Sequence, residues 1–162
     1  MKVEQWNIDR IKPYEKNPRR NDKAVQAVAD SIREYGFRQP IVVDAGGVIV
    51  VGHTRLKAAL KLGLKTVPVH VAADLTPQQA RAYRLADNRS AENAEWDVDL
   101  LPIELGELRD GGTDLKLLGF SDKELAEYLR EFDTGLDDGQ ADAEEASDSI
   151  RCPKCGHEFP LE

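Results

Sequence analysis

Between Asp22 and Tyr35 the apolar residues Val25, Val28, Ala29 and Ile32 recur at helical spacing, behind Asn21, a capping residue, and ahead of Gly36, which suits a left-handed helix end. The period then changes. Ile41-Val42-Val43 and Val48-Ile49-Val50-Val51 are β-branched runs flanking Asp44-Ala45-Gly46-Gly47, the pattern of a β-hairpin. Leu56 to Leu62 returns to helical spacing and stops at Gly63, and Thr66 to Val71 reads as another strand. Pro68 has no N–H for a ladder, so that strand is expected at a sheet edge or bulged. Thr76-Pro77-Gln78-Gln79 supplies a cap, a first-turn proline and a capping-box glutamine for a helix expected to end near Asp87. A helical stretch is predicted from Trp96-Asp97 to Leu108, broken by Gly111-Gly112, and Ser121-Asp122-Lys123-Glu124 is a capping box for a last helix to Phe132. Leu100, Leu101, Leu105, Leu108, Leu125 and Leu129 are the candidate packing face of these last two helices. The pattern predicts an α+β fold, a small mixed sheet with packed helices.

After Phe132 the composition shifts. Asp133 to Ser149 holds seven acidic residues, no basic one and no aromatic, and cannot bury enough surface to offset its ordering entropy, so residues 133–149 read as an acidic disordered linker. This corrects what the net charge of −8 suggests about partners. Residues 1–70 hold 13 Lys/Arg against 7 Asp/Glu, a balance of +6, so the first half is a plausible phosphate-facing surface. At 162 residues the chain allows one ordinary core plus appendages. It has no apolar run of membrane-spanning length and no signal-peptide pattern, which predicts a cytoplasmic protein without membrane contact. Two cysteines in one Cys-x-x-Cys argue against a disulfide framework.

The chemistry concentrates at the junction of the hairpin and the helix that follows it. Gly52 permits a tight turn at the strand end, and the first N–H groups of the next helix have no intrahelical partner, an arrangement that attracts anions. Arg55 and Lys57 add cationic side chains, and His53 can donate or accept. An isolated Gly-x-x-Arg is equally the signature of an ordinary strand-to-helix connection, so context decides.

That context is a family resemblance. Gly52-His53-Thr54-Arg55-Leu56-Lys57-Ala58 resembles the Gly-x-x-Arg-x-x-Ala motif of the ParB/sulfiredoxin superfamily, and Asn17-Pro18-Arg19-Arg20 is similar to the Asn-Pro-Arg loop that precedes a helix there. Arg84-Leu85-Ala86-Asp87-Asn88-Arg89-Ser90-Ala91-Glu92 sits where ParB-like proteins carry an acidic-Asn motif, in the version seen beside phage and plasmid DNA methyltransferases. The resemblance implies a nucleotide site built from Gly52, His53, Thr54, Arg55, Arg19, Arg20, Asp87 and Asn88, taking CTP or ATP with Mg²⁺. Sulfiredoxins place a nucleophilic Cys in the glycine motif, whereas this chain has no cysteine before Cys152, which excludes sulfinic-acid reduction. Ala91 stands where the third motif closes with Arg, and after residue 100 too little sequence is left for the helical DNA-binding domain of a ParB partition protein.

Residues 150–162 form a different unit. Cys152-Pro153-Lys154-Cys155-Gly156-His157 resembles one knuckle of a zinc ribbon, but structural zinc wants four ligands and one chain brings only Cys152, Cys155 and His157 together. A zinc shared between two chains of a homodimer and a metal-free remnant are both open. The predicted organisation is a nucleotide-binding domain over residues 1–100, a helical extension packed on it at 101–132, the linker, and the knuckle. Three readings follow: a nucleotide-binding, DNA-associated protein of a phage or other mobile element, acting beside a DNA methyltransferase or another phage protein; an enzyme, either a nuclease, a nucleotide hydrolase or a small-molecule kinase with Glu15 or Glu34 as its base; and an adaptor with an inactive nucleotide site.

Overall fold

The β-branched runs build one mixed sheet. The computed structural model describes residues 1–137, 149–151 and 158–160. Its elements are β1 (Val3–Asn7), α1 (Val25–Tyr35), β2 (Ile41–Val43), β3 (Ile49–Val51), α2 (His53–Lys61), β4 (Thr66–Val71), α3 (Pro77–Glu92), α4 (Leu100–Asp110), α5 (Asp122–Asp137), β5 (Ser149–Arg151) and β6 (Glu158–Pro160). The first four strands lie in the order β1-β4-β2-β3; β4 runs antiparallel to β1 and parallel to β2, and β2 is antiparallel to β3. Ile41, Val43, Val67 and Val69, all fully buried, pack with Trp6 and with Leu56 and Ala59 of α2 to form the main core. This is the α+β fold that the pattern of positions predicts.

The hairpin owes its turn to Asp44, whose Oδ1 accepts the N–H groups of Gly46 at 2.9 Å and Val48 at 3.0 Å. A bulge then pairs Val42 with Val51 and Val43 with Ile49, leaving Val50 outside the register. Bulges sharpen the local twist, and here β3 leads directly into Gly52 and α2.

Several sequence expectations are corrected. β4 is an interior strand, not an edge. Ala72 N–H donates to Val43 O, so by alternation the Pro68 nitrogen faces the β2 side, where β2 has not yet begun: Ile41 pairs with Val69. The proline therefore removes no ladder bond. Asn21 does not cap a helix: a 3-10 turn at Asp22–Ala24 precedes α1, and the Asn21 side chain makes no capping bond. α3 keeps its predicted capping box but runs to Glu92 instead of Asp87, and α4 begins at Leu100 because Asp97 Oδ1 accepts the N–H groups of Asp99 and Leu100.

α4 and α5 form a second, smaller core of Leu101, Leu105, Leu115 and Leu125, with Leu129 packed against it, whereas Leu100 and Leu108 are exposed. Gly106 allows the two helices to meet, since a Cβ there would lie 2.4 Å from the Phe132 ring. α5 passes the predicted end at Phe132 because Arg109 holds Asp133 through two hydrogen bonds, at 2.9 and 3.2 Å, so residues 133–137 belong to a helix and not to a linker. The helical unit meets the first domain at α1, where a Cβ on Gly119 would lie 3.3 Å from Ala27. β5 and β6 pair antiparallel with Arg151 opposite Glu158, while Cys152, Cys155 and His157 lie outside the described residues.

Candidate functional site

β3 ends at Val51, and Gly52 turns the chain with φ +110°, a left-handed conformation that side chains rarely adopt. Space is also short there: a Cβ would sit 3.4 Å from both the Ile41 backbone and the Arg55 guanidinium. The first intrahelical bond of α2 is Leu56 N–H to Gly52 O at 3.0 Å, which leaves the N–H groups of His53, Thr54 and Arg55 free at a helix start. These three residues line a cleft of about 960 Å³.

All eight residues expected from the motifs line this one cleft. Gly52, His53, Thr54 and Arg55 form one wall, Arg19 and Arg20 the loop opposite, and Asp87 and Asn88 a third side supplied by α3. An apolar flank comes from Val28 and Ile32 of α1, read from the sequence only as a packing stripe, and from Leu117 and Leu118 of the helical unit, to which the sequence gave no part.

The geometry assigns the side chains different work. Arg55 is half-buried and bonds Pro40 O at 3.0 Å and the Gln39 side chain, which fixes its guanidinium at the cleft wall. Burial lowers its pKa below the usual guanidinium value, and the charge of Asp87 opposes that shift. His53 Nε2 accepts the Tyr14 N–H at 3.2 Å, so the neutral ring carries its proton on Nδ1. Its pKa is lowered by burial and then by the charges of Arg84 and Lys57. Thr54 Oγ1 accepts from Asn21 Nδ2 at 2.8 Å, the bond Asn21 makes in place of a helix cap.

Across the cleft, Arg19 Nη1 donates to both Asn88 O at 3.0 Å and Asn88 Oδ1 at 3.2 Å, and it pairs with Glu92 at 3.3 Å. Asn88 Nδ2 donates to Arg84 O at 2.6 Å, so both ends of that amide are engaged. Arg20 is exposed at the mouth and makes no hydrogen bond or ion pair among the described residues. Lys57 is drawn away: it pairs with Asp22 at 2.6 Å, which lowers the Asp22 pKa. Glu15 and Glu34 do not line the cleft, so neither is placed as a base there.

The sequence reading gave no role to Arg84, which is buried and supports the α3 side of the cleft. Its signal was its spacing, four residues after the buried Ala80 and four before Asn88, on one face of α3.

The family profile described as the ParB N-terminal domain matches residues 1–89. The chain belongs to the ParB N-terminal domain family. A second profile, the ParB-methyltransferase HTH domain, matches residues 99–154, which corrects the expectation that too little sequence remains for a helical domain of this kind. A probable plasmid-partitioning protein ParB of Thermus thermophilus is 41% identical over 90 residues, covering 54% of this chain and 28% of that protein. The Escherichia coli ParB-like nuclease domain-containing protein YnaK is 32% identical over 80 residues, which is 49% of this chain and 92% of YnaK. Among solved structures, C-terminally truncated chromosome-partitioning protein ParB from Caulobacter crescentus, complexed with CTP-gamma-S, superposes with a TM-score of 0.66 at 25% identity over 90% of each chain. The chain spans about a third or less of the two Thermus partitioning proteins it matches, 28% and 34% of their lengths. No described helix is long and apolar enough to cross a membrane.

Proposed function

We propose that this chain is a ParB-like, DNA-associated nucleotide-binding protein of a phage or other mobile element, which takes the phosphates of CTP or ATP at the start of α2. The observation that carries this reading is the convergence on one cleft of a left-handed Gly52, three free backbone N–H groups, and the cations Arg19, Arg20 and Arg55. The Caulobacter relative, solved with a CTP analogue, supports CTP as the first nucleotide to test.

Among the described residues no group of three or more His, Cys, Asp or Glu could hold a metal ion by itself. Mg²⁺ needs less than that when phosphates are present, because one or two carboxylates and the phosphate oxygens complete its shell. Asp87 is the carboxylate suited to the task, since Asp22 is tied to Lys57 and the Asn88 amide is engaged. The ion would neutralise phosphate charge there.

The second profile, described by its link to methyltransferases, supports a role beside a DNA-modifying enzyme. Calorimetry with CTP, ATP and ADP, with and without Mg²⁺, tests the reading. Micromolar or tighter binding of one triphosphate is expected, and no binding of any of them would leave the adaptor reading. Turnover of a bound nucleotide would place the chain among the hydrolases.

A further inference from the structure

Arg84 is the buried charged side chain among the described residues, 5% exposed, and it does not line the cleft. A buried charge is costly unless it is paired and hydrogen-bonded, and an apolar side chain of similar size often packs as well. Filling space therefore does not account for an arginine here. Its three contacts do.

The Nε–H donates to Ile49 O at 2.7 Å, on the strand that ends one residue before Gly52. The guanidinium lies over the Tyr14 ring with its carbon 4.0 Å from the centroid, and Nη2 is 3.7 Å from Asp44 Oδ2 in the hairpin turn. Tyr14 in turn donates its backbone N–H to His53 Nε2 at 3.2 Å. Arg84's own carbonyl accepts from Asn88 Nδ2 at 2.6 Å, and Asn88 Oδ1 accepts from Arg19 at 3.2 Å. From its place on α3, the helix that carries Asp87 and Asn88, the side chain thus reaches the strand that leads to Gly52, the hairpin turn at Asp44 and the loop that leads to Arg19 and Arg20. A planar fork can bond, stack and pair in three directions at once; an ammonium cannot.

We infer that Arg84 is the positioning residue of the cleft, holding its three walls in one register so that their donors converge on a nucleotide phosphate. This rests on the nucleotide-phosphate reading of the cleft. The Arg84 side chain acts through Tyr14, Asp44 and the β3 backbone, which tie α3 and with it Asn88 to the other walls, and it does not touch the ligand.

The test uses the full chain with Arg84→Met, Arg84→Lys and Tyr14→Leu, each checked for folding by circular dichroism. Two readouts are taken: CTP affinity by calorimetry, and the ring resonances of His53 and side-chain amide resonances of Asn88 by NMR. Arg84→Met is expected to bind CTP at least about tenfold more weakly, to shift the Asn88 amide, and to let His53 titrate at higher pH. Arg84→Lys should restore the low His53 titration, because the charge returns, and only part of the affinity. A folded Arg84→Met with wild-type affinity and unchanged His53 and Asn88 signals overturns the assignment, as does one whose only change is a lower melting temperature. Should Arg84→Met not fold, Tyr14→Leu removes the stack and leaves the charge; an affinity loss there supports the role and wild-type affinity overturns it. If the wild-type chain binds no nucleotide, the phosphate reading has failed on its own account, and the Arg84 register is then judged by NMR: perturbed Asn88 and His53 signals in Arg84→Met sustain it, unperturbed signals end it.

Discussion

Asn21 Nδ2 donates to Thr54 Oγ1 at 2.8 Å, part-buried, joining the loop after Asn17-Pro18-Arg19-Arg20 to the first turn of α2. Thr54→Val keeps the shape of the side chain but leaves the Asn21 amide without its acceptor. The expected loss of stability is about 1 to 3 kcal/mol in chemical denaturation. Combined with Asn21→Ala the loss should be less than the sum of the two single changes, because both remove one bond. Strict additivity would show that the bond contributes nothing.

Arg55 is held by Pro40 O and Gln39 beside free N–H groups at the helix start, so its fork is fixed before a phosphate arrives. Arg55→Ala should weaken nucleotide binding about tenfold or more, in keeping with 1.5 to 3 kcal/mol for a hydrogen bond to a charged group. Unchanged affinity in calorimetry, with the fold intact, would end the assignment. Gly52→Ala harms the same site by another route: φ +110° strains any side chain, at a cost of about 1 to 3 kcal/mol in stability, and the new Cβ crowds Ile41 and Arg55.

His53 gives the site a pH dependence whose sign is fixed by its lowered pKa. The folded state binds its proton less readily than the unfolded chain, whose imidazole titrates near ~6.5. Its contribution to stability is therefore complete above that value and is lost as pH falls through the folded pKa. Protonation also turns Nε2 into a donor facing the Tyr14 N–H donor, which must break that bond. Stability measured from pH 8 to pH 5 should fall on the acid side, and His53→Asn should flatten that part of the curve. A wild-type profile in the variant would assign the acid loss to other groups.

The alternation and capping signals that predicted the hairpin, α2 and the start of α3 were local, and local signals survive in a single sequence. Gly52 and Arg55 were legible for the same reason, being fixed by a turn and the helix after it. β1 was not: of its five residues only Trp6 is buried, so no periodic pattern marks it. The interior place of β4 was hidden because Pro68 counts against an interior strand only when a neighbour lies opposite its nitrogen, a fact of register and not of composition. Spacing placed Arg84 on the Ala80–Asn88 face of α3, but its role was hidden for a related reason, since its partners Tyr14, Asp44 and Ile49 lie 35 to 70 positions away in the chain. The end of α5 was misplaced because the Asp133 carboxylate looked like part of an acidic run until Arg109 was seen beside it.

If the knuckle binds zinc, the ion is expected to join two chains, because Cys152, Cys155 and His157 fall short of the four ligands that a closed structural site needs. Metal analysis of purified protein should find about half a zinc per chain. A chelator should convert dimer to monomer in sizing experiments and leave residues 1–132 folded. One zinc per monomer that survives dilution would sink the shared site; no zinc in a reducing, metal-replete preparation would favour a remnant.

Charge divides the chain in a way that decides where nucleic acid can be met. Residues 99–137, within the stretch matched by the HTH profile, hold 4 Lys/Arg against 11 Asp/Glu, a balance of −7, whereas residues 1–70 stand at +6. Phosphate contacts supply most non-specific affinity, so the cations of the first domain, not α4 or α5, should carry it. Arg20 is the candidate that geometry leaves free, exposed at the cleft mouth and without an ion pair. Arg20→Ala separates its two roles: weaker binding to duplex DNA with a slope of log K against log salt lowered by about 1, and mononucleotide affinity unchanged, would make it a contact to the nucleic-acid backbone. Loss of mononucleotide affinity with an unchanged salt slope would instead put Arg20 inside the nucleotide pocket, and no effect on either would return it to a solvated surface charge.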